Sequence, residues 1–212
     1  MAQRLSGRSA VVTGSGDGIG RAVALAMAAE GAKVVINDIG KDPQGNYMAD
    51  KVVAEIKKAG GAAVANYESV ATMTGGQKII QTAVSNFGGI DVLVNCAGNY
   101  LLGTIEDMKE ESWDSVIAVH LKGHFSCIQA AVREMIKQKY GRIINISSSG
   151  AFMFSPGVSR CIAYPAAKAA IMGLTATLSA NMKQHGITVN AIFPDAITKL
   201  FPSPTVIGGG IR

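Results

Sequence analysis

The sequence has few cysteines, and their positions exclude two kinds of fold that cysteines build. Cys96, Cys127 and Cys161 are its three cysteines, so they cannot all pair, and none forms a C-x-x-C spacing. The sequence therefore indicates neither a disulfide framework nor a zinc knuckle, and no metal site is predicted. A reducing compartment is the simplest interpretation.

The chain also lacks long apolar runs and clustered positive charge. Its first nine residues include two arginines but no apolar segment typical of a signal peptide. No later run approaches the roughly 18 apolar residues of a membrane span. The formal charge of +5 is spread without a block of lysine and arginine, so neither a nucleic-acid tail nor a membrane anchor is indicated. These features predict a soluble, cytoplasmic protein that binds neither nucleic acid nor membranes.

What the chain does contain is a regular alternation of strands and helices. Its 212 residues, 48% hydrophobic and 17% charged, suit one α/β domain over residues 1–212. Strands are predicted over residues 9–13, 33–37, 62–67, 90–95, 141–148 and 187–193, and helices over residues 18–30, 47–59, 73–87, 111–139 and 164–185. This alternation predicts a three-layer, doubly wound parallel sheet with helices on both faces.

A loop made mostly of glycine joins the first strand to the first helix. Gly14, Gly18 and Gly20 have the spacing G-x-x-x-G-x-G, which matches neither the G-x-G-x-x-G dinucleotide fingerprint nor a Walker A loop. Glycines let a ligand approach without meeting a Cβ, and the first N–H groups of the next helix are unpaired. The loop therefore predicts a phosphate site, and a tight turn without a ligand is the alternative.

Asp38 follows the second strand directly, eighteen residues after Gly20. A carboxylate at this position accepts hydrogen bonds from both ribose hydroxyls of an adenosine and repels a 2′-phosphate. Asp38 therefore predicts NAD as the cofactor and makes NADP the less suitable one. A turn or helix-capping aspartate is the alternative.

Tyr164 and Lys168 lie one turn apart at the start of the last predicted helix, downstream of a serine-rich strand end. A nearby cation favours phenolate over phenol, so Lys168 is expected to lower the pKa of Tyr164 from its usual value of about 10. A tyrosine tuned in this way can act as a general acid or base. For an arbitrary helix, a surface pair without chemical function is the alternative.

Three sequence motifs follow one another along the chain. They are Thr13-Gly14-x-x-x-Gly18-Ile19-Gly20, Asn95-Cys96-Ala97-Gly98 and Tyr164-Pro165-Ala166-Ala167-Lys168. With them the sequence resembles the classical short-chain dehydrogenases/reductases over essentially its whole length. The resemblance implies a Rossmann fold and NAD(P)-dependent interconversion of a secondary alcohol and a ketone.

The same resemblance implies roles for individual residues. Tyr164 would donate or accept the proton, Lys168 would bind the nicotinamide ribose, and a serine after the fifth strand would hold the substrate oxygen. Ser147, Ser148 and Ser149 are adjacent, and counting forward from Gly141 favours Ser148. The expected cofactor-binding residues are Gly14, Ser15, Asp17, Gly18, Ile19, Asp38, Ser69, Val70, Asn95, Ala97, Gly98, Tyr164, Lys168, Pro194, Ile197 and Thr198.

The chain departs from the family pattern at three places. His120 stands where the family has its fourth catalytic residue, an asparagine; it can hold a relay water or be a packed, non-catalytic side chain. Pro194-Asp195 replaces the usual Pro-Gly after the sixth strand, which affects the expected contacts of Ile197 and Thr198 with the nicotinamide. Ser69-Val70 replaces Asp-Val, so the adenine contact can fall to backbone atoms or to Glu68.

His120, the long loop after Asp38 and residues 65–70 together are similar to the 3-hydroxyacyl-CoA dehydrogenase domain of the multifunctional enzymes of type 2. A 3-hydroxyacyl thioester is therefore the expected substrate. A dinucleotide-binding regulatory or scaffold protein that kept the fold and lost turnover is the alternative function, and the fold alone does not decide between them.

Two further expectations concern assembly and the end of the chain. The helices over residues 111–139 and 164–185 are apolar on more than one face, which predicts a homodimer or homotetramer. Only nineteen residues follow Phe193, and they contain prolines and a run of three glycines. A sheet ending at the sixth strand would expose an apolar edge beside Ile187, Val189 and Ile192. The C-terminal part is therefore expected to be incomplete, with a further helix and strand missing.

Overall fold

The fold is a six-stranded parallel sheet flanked by helices, as the alternation of elements predicts. The computed structural model describes residues 3–152, 161–194 and 196. The strands are β1 (Ser9–Thr13), β2 (Lys33–Asn37), β3 (Ala62–Asn66), β4 (Val92–Asn95), β5 (Gly141–Ile146) and β6 (Ile187–Ile192). The helices are α1 (Gly18–Ala29), α2 (Met48–Lys58), α3 (Met73–Phe87), α4 (Glu110–Ile117), α5 (Gly123–Gln138) and α6 (Ala163–Met182).

The strand order is β3-β2-β1-β4-β5-β6, and all pairs are parallel. The order reverses between β1 and β4, so the connections that leave these two strands run in opposite directions and open a crevice at their carboxyl ends. Thr13 and Asn95 end the two strands at this crevice. Ligands of doubly wound sheets bind at such a switch point.

Alternate strand residues enter two separate cores, one on each face of the sheet. Val11 and Leu93 pack with α3, α5 and α6, whereas Val12 and Val94 pack with α1 and α2. Because successive side chains of a strand point to opposite faces, a strand covered on both sides must be apolar throughout. The continuous valine and isoleucine runs of this sequence meet that requirement.

The predicted elements are all present, and most differences lie at their ends. The strand predicted over residues 90–95 begins at Val92, and the Asp91 carboxylate before it accepts hydrogen bonds from the backbone N–H and the hydroxyl of Ser9. The strand predicted over residues 141–148 ends at Ile146, and the serines leave the sheet. The helix predicted over residues 111–139 is interrupted by a wider π-helical turn, Ala118–Lys122, between α4 and α5.

β6 is the last strand of the described sheet, and its apolar side chains differ in exposure. Ile187 and Val189 are buried in the core on the α3, α5 and α6 side, while Ile192 is 48% exposed. Among the described residues, no helix combines the length and the apolar character needed to cross a membrane.

Candidate active site

The glycine loop is shaped first by contacts within the protein. Gly14 has a φ of +63°, and a Cβ there would lie 2.6 Å from the Cα of Ala97, so the loop touches the segment after β4. A Cβ on Gly20 would collide with the carbonyl oxygen of Gly14. Two of the three motif glycines therefore permit close backbone packing. The loop as a whole lies at the switch point, where the resemblance places the dinucleotide.

The polar residues of this loop bond to its backbone. The Ser15 hydroxyl donates to the carbonyl oxygen of Val12 at 2.7 Å, and the Ser15 N–H donates to Asn37 at 3.0 Å. Asp17 precedes α1, and its Oδ1 accepts from the N–H of Gly18 at 2.8 Å. The Ser15 side chain is thus turned into the protein. Ile19, in the first turn of α1, is half-buried.

Asp38 lies across the entrance to the glycine loop. Its Oδ2 accepts from the N–H of Gly16 at 2.8 Å, and its Oδ1 accepts from the N–H of Gly40 at 2.7 Å. A Cβ on Gly16 would lie 2.9 Å from this carboxylate, so glycine is needed for the approach. Each oxygen has a further lone pair, which leaves the carboxylate able to accept from ligand hydroxyl groups.

Thr13 joins the ends of β1 and β4. Its Oγ1 accepts from the N–H groups of Cys96 and Ala97 at 3.0 and 3.1 Å. The Asn95 amide donates to Asn145 on β5 at 3.0 Å, so its side chain lies within the sheet. Asn95 Oδ1 is buried and has no hydrogen-bond partner among the described residues. The backbone after β4, which includes Ala97 and Gly98, is therefore the part that borders the crevice.

Ser69 and Val70 follow β3, and residues of α5 contact Val70. The Ser126 hydroxyl donates to the carbonyl oxygen of Val70 at 2.9 Å, and a Cβ on Gly123 would lie 2.9 Å from the Val70 side chain. Ser69 Oγ accepts from the N–H of Ala71 at 3.3 Å. These contacts hold the segment at the carboxyl edge of the sheet.

Tyr164, Ser148 and Lys168 are brought together. The Ser148 hydroxyl forms a hydrogen bond with the Tyr164 phenol. Lys168 is buried, and its Nζ donates to the carbonyl oxygen of Ile146 at 2.6 Å and lies 5.5 Å from the centre of the Tyr164 ring. Ser147, by contrast, donates to the backbone of Lys168 at 2.9 Å. Of these two serines, Ser148 is the one that contacts the tyrosine.

The expected lowering of the Tyr164 pKa is wrong for this structure. Burial raises the pKa of Tyr164 above its usual value, and the hydrogen bond from Ser148 opposes that rise only in part. Burial also lowers the pKa of Lys168 to about 8, because the ammonium has left water. At neutral pH the site holds a protonated phenol beside a lysine that is close to giving up its charge.

His120 lies in the π-helical turn and is packed against the tyrosine. Its ring meets the Tyr164 ring edge-on, with centres 5.3 Å apart. Its Nε2 lies 3.1 Å from the backbone nitrogen and 2.8 Å from the carbonyl oxygen of Asn99. A Cβ on Gly98 would lie 2.6 Å from the imidazole, so this glycine makes room for the histidine. Burial and the charge of Lys168 lower the His120 pKa to about 3, which keeps the ring neutral.

Of the three cofactor-binding residues expected after β6, the structure describes one. Pro194 is half-buried and follows the strand directly. Ile197 and Thr198 lie outside the described residues, as does Asp195. Within the described part of the chain, no three histidine, cysteine or carboxylate side chains converge as metal ligands.

Sequence reasoning missed a second buried histidine and a surface groove near the site. His124 lies one turn after His120, and the i, i+4 spacing was the available signal. The groove has a volume of about 310 Å³, and its polar and apolar residues belong to the loop before α4 and to that helix. Its lining consists of Leu102, Gly103, Thr104, Asp107, Lys109 and Ser112. Gly103 pairs with Cys161, which packs in one cluster with Tyr164.

Comparisons of the chain with known proteins agree on one family. A family model described as "short chain dehydrogenase" matches residues 8–200. The chain is 43% identical to the peroxisomal multifunctional enzyme type 2 of Mus musculus over 201 residues, which cover 93% of this chain and 26% of that protein. It is 44% identical to a 3-oxoacyl-[acyl-carrier-protein] reductase of Synechocystis, with 91% of this chain and 75% of that protein covered.

A solved structure extends the likeness to three dimensions. A short chain dehydrogenase from Mycobacterium avium superposes with a TM-score of 0.86 at 46% identity, covering 94% of this chain and 71% of that one. The chain spans about a quarter to a third of the length of the mouse and Drosophila melanogaster multifunctional enzymes that it matches. The matched motifs, the sheet order and the site geometry agree with these similarities. The chain belongs to the short chain dehydrogenase family, whose members are oxidoreductases.

Proposed function

We propose that this protein is an NAD-dependent oxidoreductase that interconverts a secondary alcohol and a ketone, with Tyr164 as the general acid and base. One observation carries the proposal: Tyr164 is hydrogen-bonded to Ser148 and lies one turn before a buried Lys168. These groups stand at the carboxyl edge of a sheet whose switch point holds a glycine loop and Asp38. Proton transfer by a positioned side chain contributes about 10²–10⁴-fold to a rate.

The residues fit a nicotinamide dinucleotide. Asp38 offers carboxylate lone pairs to the adenosine ribose, and the start of α1 offers N–H groups to the pyrophosphate. Within the described residues, Lys168 donates one hydrogen bond, to Ile146, so its ammonium has donors left for a ribose hydroxyl. Bound NAD would supply the acceptor for the hydride that leaves the carbinol carbon.

The chain's own residues would handle the proton and the oxygen. In the direction of oxidation, Tyr164 Oη takes the proton from the substrate hydroxyl while Ser148 holds the oxygen. In reduction, the Tyr164 phenol gives that proton to the new alkoxide. Because burial keeps the phenol protonated at neutral pH, the described site is prepared for reduction. Oxidation requires Lys168, whose ammonium stabilises the phenolate.

Asp38 supports NAD over NADP, because its carboxylate would face a 2′-phosphate of the same charge sign. Like charges at such a distance cost about 1 kcal/mol or more at an effective dielectric of about 20. A 3-hydroxyacyl or 3-oxoacyl thioester is the substrate class that we propose. The support comes from the name of the 3-oxoacyl-[acyl-carrier-protein] reductase that the chain is similar to, and from the resemblance of the sequence to a 3-hydroxyacyl-CoA dehydrogenase domain.

The test is a steady-state assay of the purified protein with a panel of simple secondary alcohols and 3-hydroxyacyl thioesters, each with NAD and NADP. We expect NADH to form with NAD and thioesters at a rate above that with NADP or simple alcohols. Tight NADH binding without turnover of any substrate would overturn the enzymatic proposal and support the alternative of a regulatory or scaffold protein.

The assembly and the location of the protein are also proposals. A single domain over residues 1–212 would associate as a homodimer or homotetramer through the helices that leave Trp113, Phe125 and Ile136 partly exposed. Light scattering at micromolar concentration should give two or four times the chain mass. A cytoplasmic location remains a prediction, because several of the similar proteins are named as peroxisomal.

A further inference from the structure

His124 is a buried imidazole for which the proposed reaction has no use. It stands near the start of α5, one turn after His120, and is 2% exposed. Its Nδ1 lies 2.6 Å from the carbonyl oxygen of His120. A carbonyl oxygen only accepts, so Nδ1 carries the hydrogen and donates it. In the neutral ring, the lone pair is therefore on Nε2.

This hydrogen bond lies where the helix widens. Over the π-helical turn Ala118–Lys122 the backbone departs from the regular helical pattern. The carbonyl oxygen of His120 accepts from the backbone N–H of Gly123 as well as from His124. The imidazole of His124 thereby fixes the turn that presses the His120 ring against Tyr164.

The other ring nitrogen of His124, Nε2, has no hydrogen-bond donor among the described residues. Nε2 of His124 and Nδ1 of His120 are buried and have no hydrogen-bond partner among the described residues. A buried acceptor without a donor is costly, so such atoms normally bind ordered water. Lys168 is close enough for its charge to lower the pKa of both imidazoles, in addition to the larger effect of burial. Its ammonium has spare donors, and a water can connect a spare donor with a spare acceptor.

We propose that His124 is a positioning residue for the Tyr164–Lys168 pair. Its Nδ1–H holds the carbonyl oxygen of His120, and its Nε2 accepts a hydrogen bond from a buried water that Lys168 also binds. The water stabilises the ammonium form of Lys168 at the pH where the enzyme works. The inference rests on the proposed function, because it gives Lys168 the role of supporting Tyr164.

Few charged groups of the described residues surround this pair. Tyr100 meets the Tyr164 ring edge-on, with ring centres 5.3 Å apart, and Cys161 packs in the same cluster. Cys96, at the end of β4, interacts with Lys168, and burial raises the pKa of that thiol to about 11. Tyr164 lies on the same helix as Lys168, and His120 and His124 face it from the π-helical turn and α5. Both imidazoles are neutral above pH 5, since burial brings their pKa to about 3. The first group to titrate as the pH rises is Lys168, whose pKa of about 8 lies below that of Cys96 and below the raised pKa values of Tyr100 and Tyr164, so the start of the alkaline fall in activity reports on Lys168.

Two variants separate the two hydrogen bonds of His124. His124→Asn keeps a donor near the position of Nδ1 and removes the acceptor at Nε2, while His124→Phe removes both and keeps the ring volume. His185→Asn, on the short helix after α6, is the control. The pH profile of kcat/KM is measured for each variant that retains the circular dichroism spectrum of the wild type.

We expect the alkaline limb to move to lower pH by about one unit in both His124 variants, with a fall in kcat of about tenfold, because a hydrogen bond to a charged group is lost. His124→Phe should also lose affinity for NADH, since the turn beside Tyr164 is released. The control should match the wild type. An alkaline limb that does not move in either His124 variant overturns the proposal.

A second measurement does not depend on turnover. The chain has three histidines, so long-range proton–nitrogen NMR spectra can assign each ring. We expect His124 to show a protonated Nδ1 and an Nε2 signal shifted by an accepted hydrogen bond. A protonated Nε2, or an Nε2 signal without that shift, contradicts the inference. If the wild type turns over no alcohol, the proposed function fails. The spectrum then still decides whether Nδ1 of His124 donates and Nε2 accepts a hydrogen bond.

Discussion

Burial of two neutral imidazoles should make the protein sensitive to mild acid. His120 and His124 are almost fully buried, and desolvation, with a smaller contribution from Lys168, lowers the pKa of each to about 3. In the unfolded chain both side chains titrate near a pKa of about 6.5. Between these values the unfolded state binds more protons than the folded state. Stability therefore falls as the pH drops below about 6.5.

The size of the effect follows from the same values. Each histidine should lower the free energy of unfolding by about 2 kcal/mol between pH 7 and pH 5. Near pH 5 each also adds about 1.4 kcal/mol per pH unit to the slope of stability against pH. The loss is full only below about pH 3, where both folded-state pKa values have been passed.

Replacement of one histidine isolates the effect. His124→Phe removes one of the two imidazoles and should reduce the slope near pH 5 by about one proton, or 1.4 kcal/mol per pH unit. Carboxylates such as Glu30, whose pKa the hydrogen bond and ion pair with Arg4 lower, contribute equally to both proteins and cancel in the difference. His185→Asn, at a more exposed histidine, should leave the slope unchanged.

Urea unfolding of the cofactor-free protein at a series of pH values measures these slopes. Trp113 is the single tryptophan and is 37% exposed, so its fluorescence reports on the fold together with circular dichroism. The protein concentration must stay fixed, because association would add to the apparent stability. Equal slopes for the wild type and His124→Phe would show that His124 is not held neutral in the folded protein, and the reasoning would fail.

Three further predictions concern single residues of the site. Asp38→Asn removes the carboxylate that would face a 2′-phosphate, and the ratio of kcat/KM for NAD to that for NADP should fall about fivefold to tenfold; an unchanged ratio would remove Asp38 from cofactor selection. Lys168→Met should abolish turnover yet raise the free energy of unfolding at pH 7 by about 1–3 kcal/mol, because a buried ammonium no longer needs to be desolvated; urea midpoints measure this, and a destabilised variant would contradict it. Gly98→Ala places a Cβ 2.6 Å from the His120 ring and should lower stability by about 1–3 kcal/mol, whereas Gly45→Ala, which meets no atom within 4 Å but has a positive φ, should cost only its backbone strain.

The parallel sheet could be predicted from the sequence because strand and helix patterns alternate regularly along the chain. The described strands are short and mostly apolar, and glycine or polar residues such as Asp17, Thr72 and Gly88 bound several of the helices, so the alternation survives small errors at the ends. The π-helical turn could not be predicted in this way. The run from Trp113 to Gln138 has continuous helical patterning, and one wider turn changes neither its composition nor its buried face.

Where a residue meets the backbone at a fixed spacing, its neighbours could be predicted from the sequence. Asp38 and Gly16 are brought together by the strand order, as expected for an acid at the tip of β2. The pKa of Tyr164 was not predictable, since the sequence shows a lysine four residues away but not how completely the phenol is buried. The polar bonds of Asn95 and Ser15 also depend on contacts across the sheet, which spacing alone does not reveal.

The most direct test of the central claim compares the wild type with Tyr164→Phe. The variant keeps the ring but removes the hydroxyl that bonds to Ser148, so the dinucleotide site is left intact. NADH formation from a 3-hydroxyacyl thioester is followed by absorbance, and NADH binding by fluorescence. We predict a loss of turnover of at least about 10²-fold with NADH affinity unchanged within about twofold. A Tyr164→Phe variant that kept more than about a tenth of the wild-type rate would contradict the assignment of Tyr164 as the general acid and base.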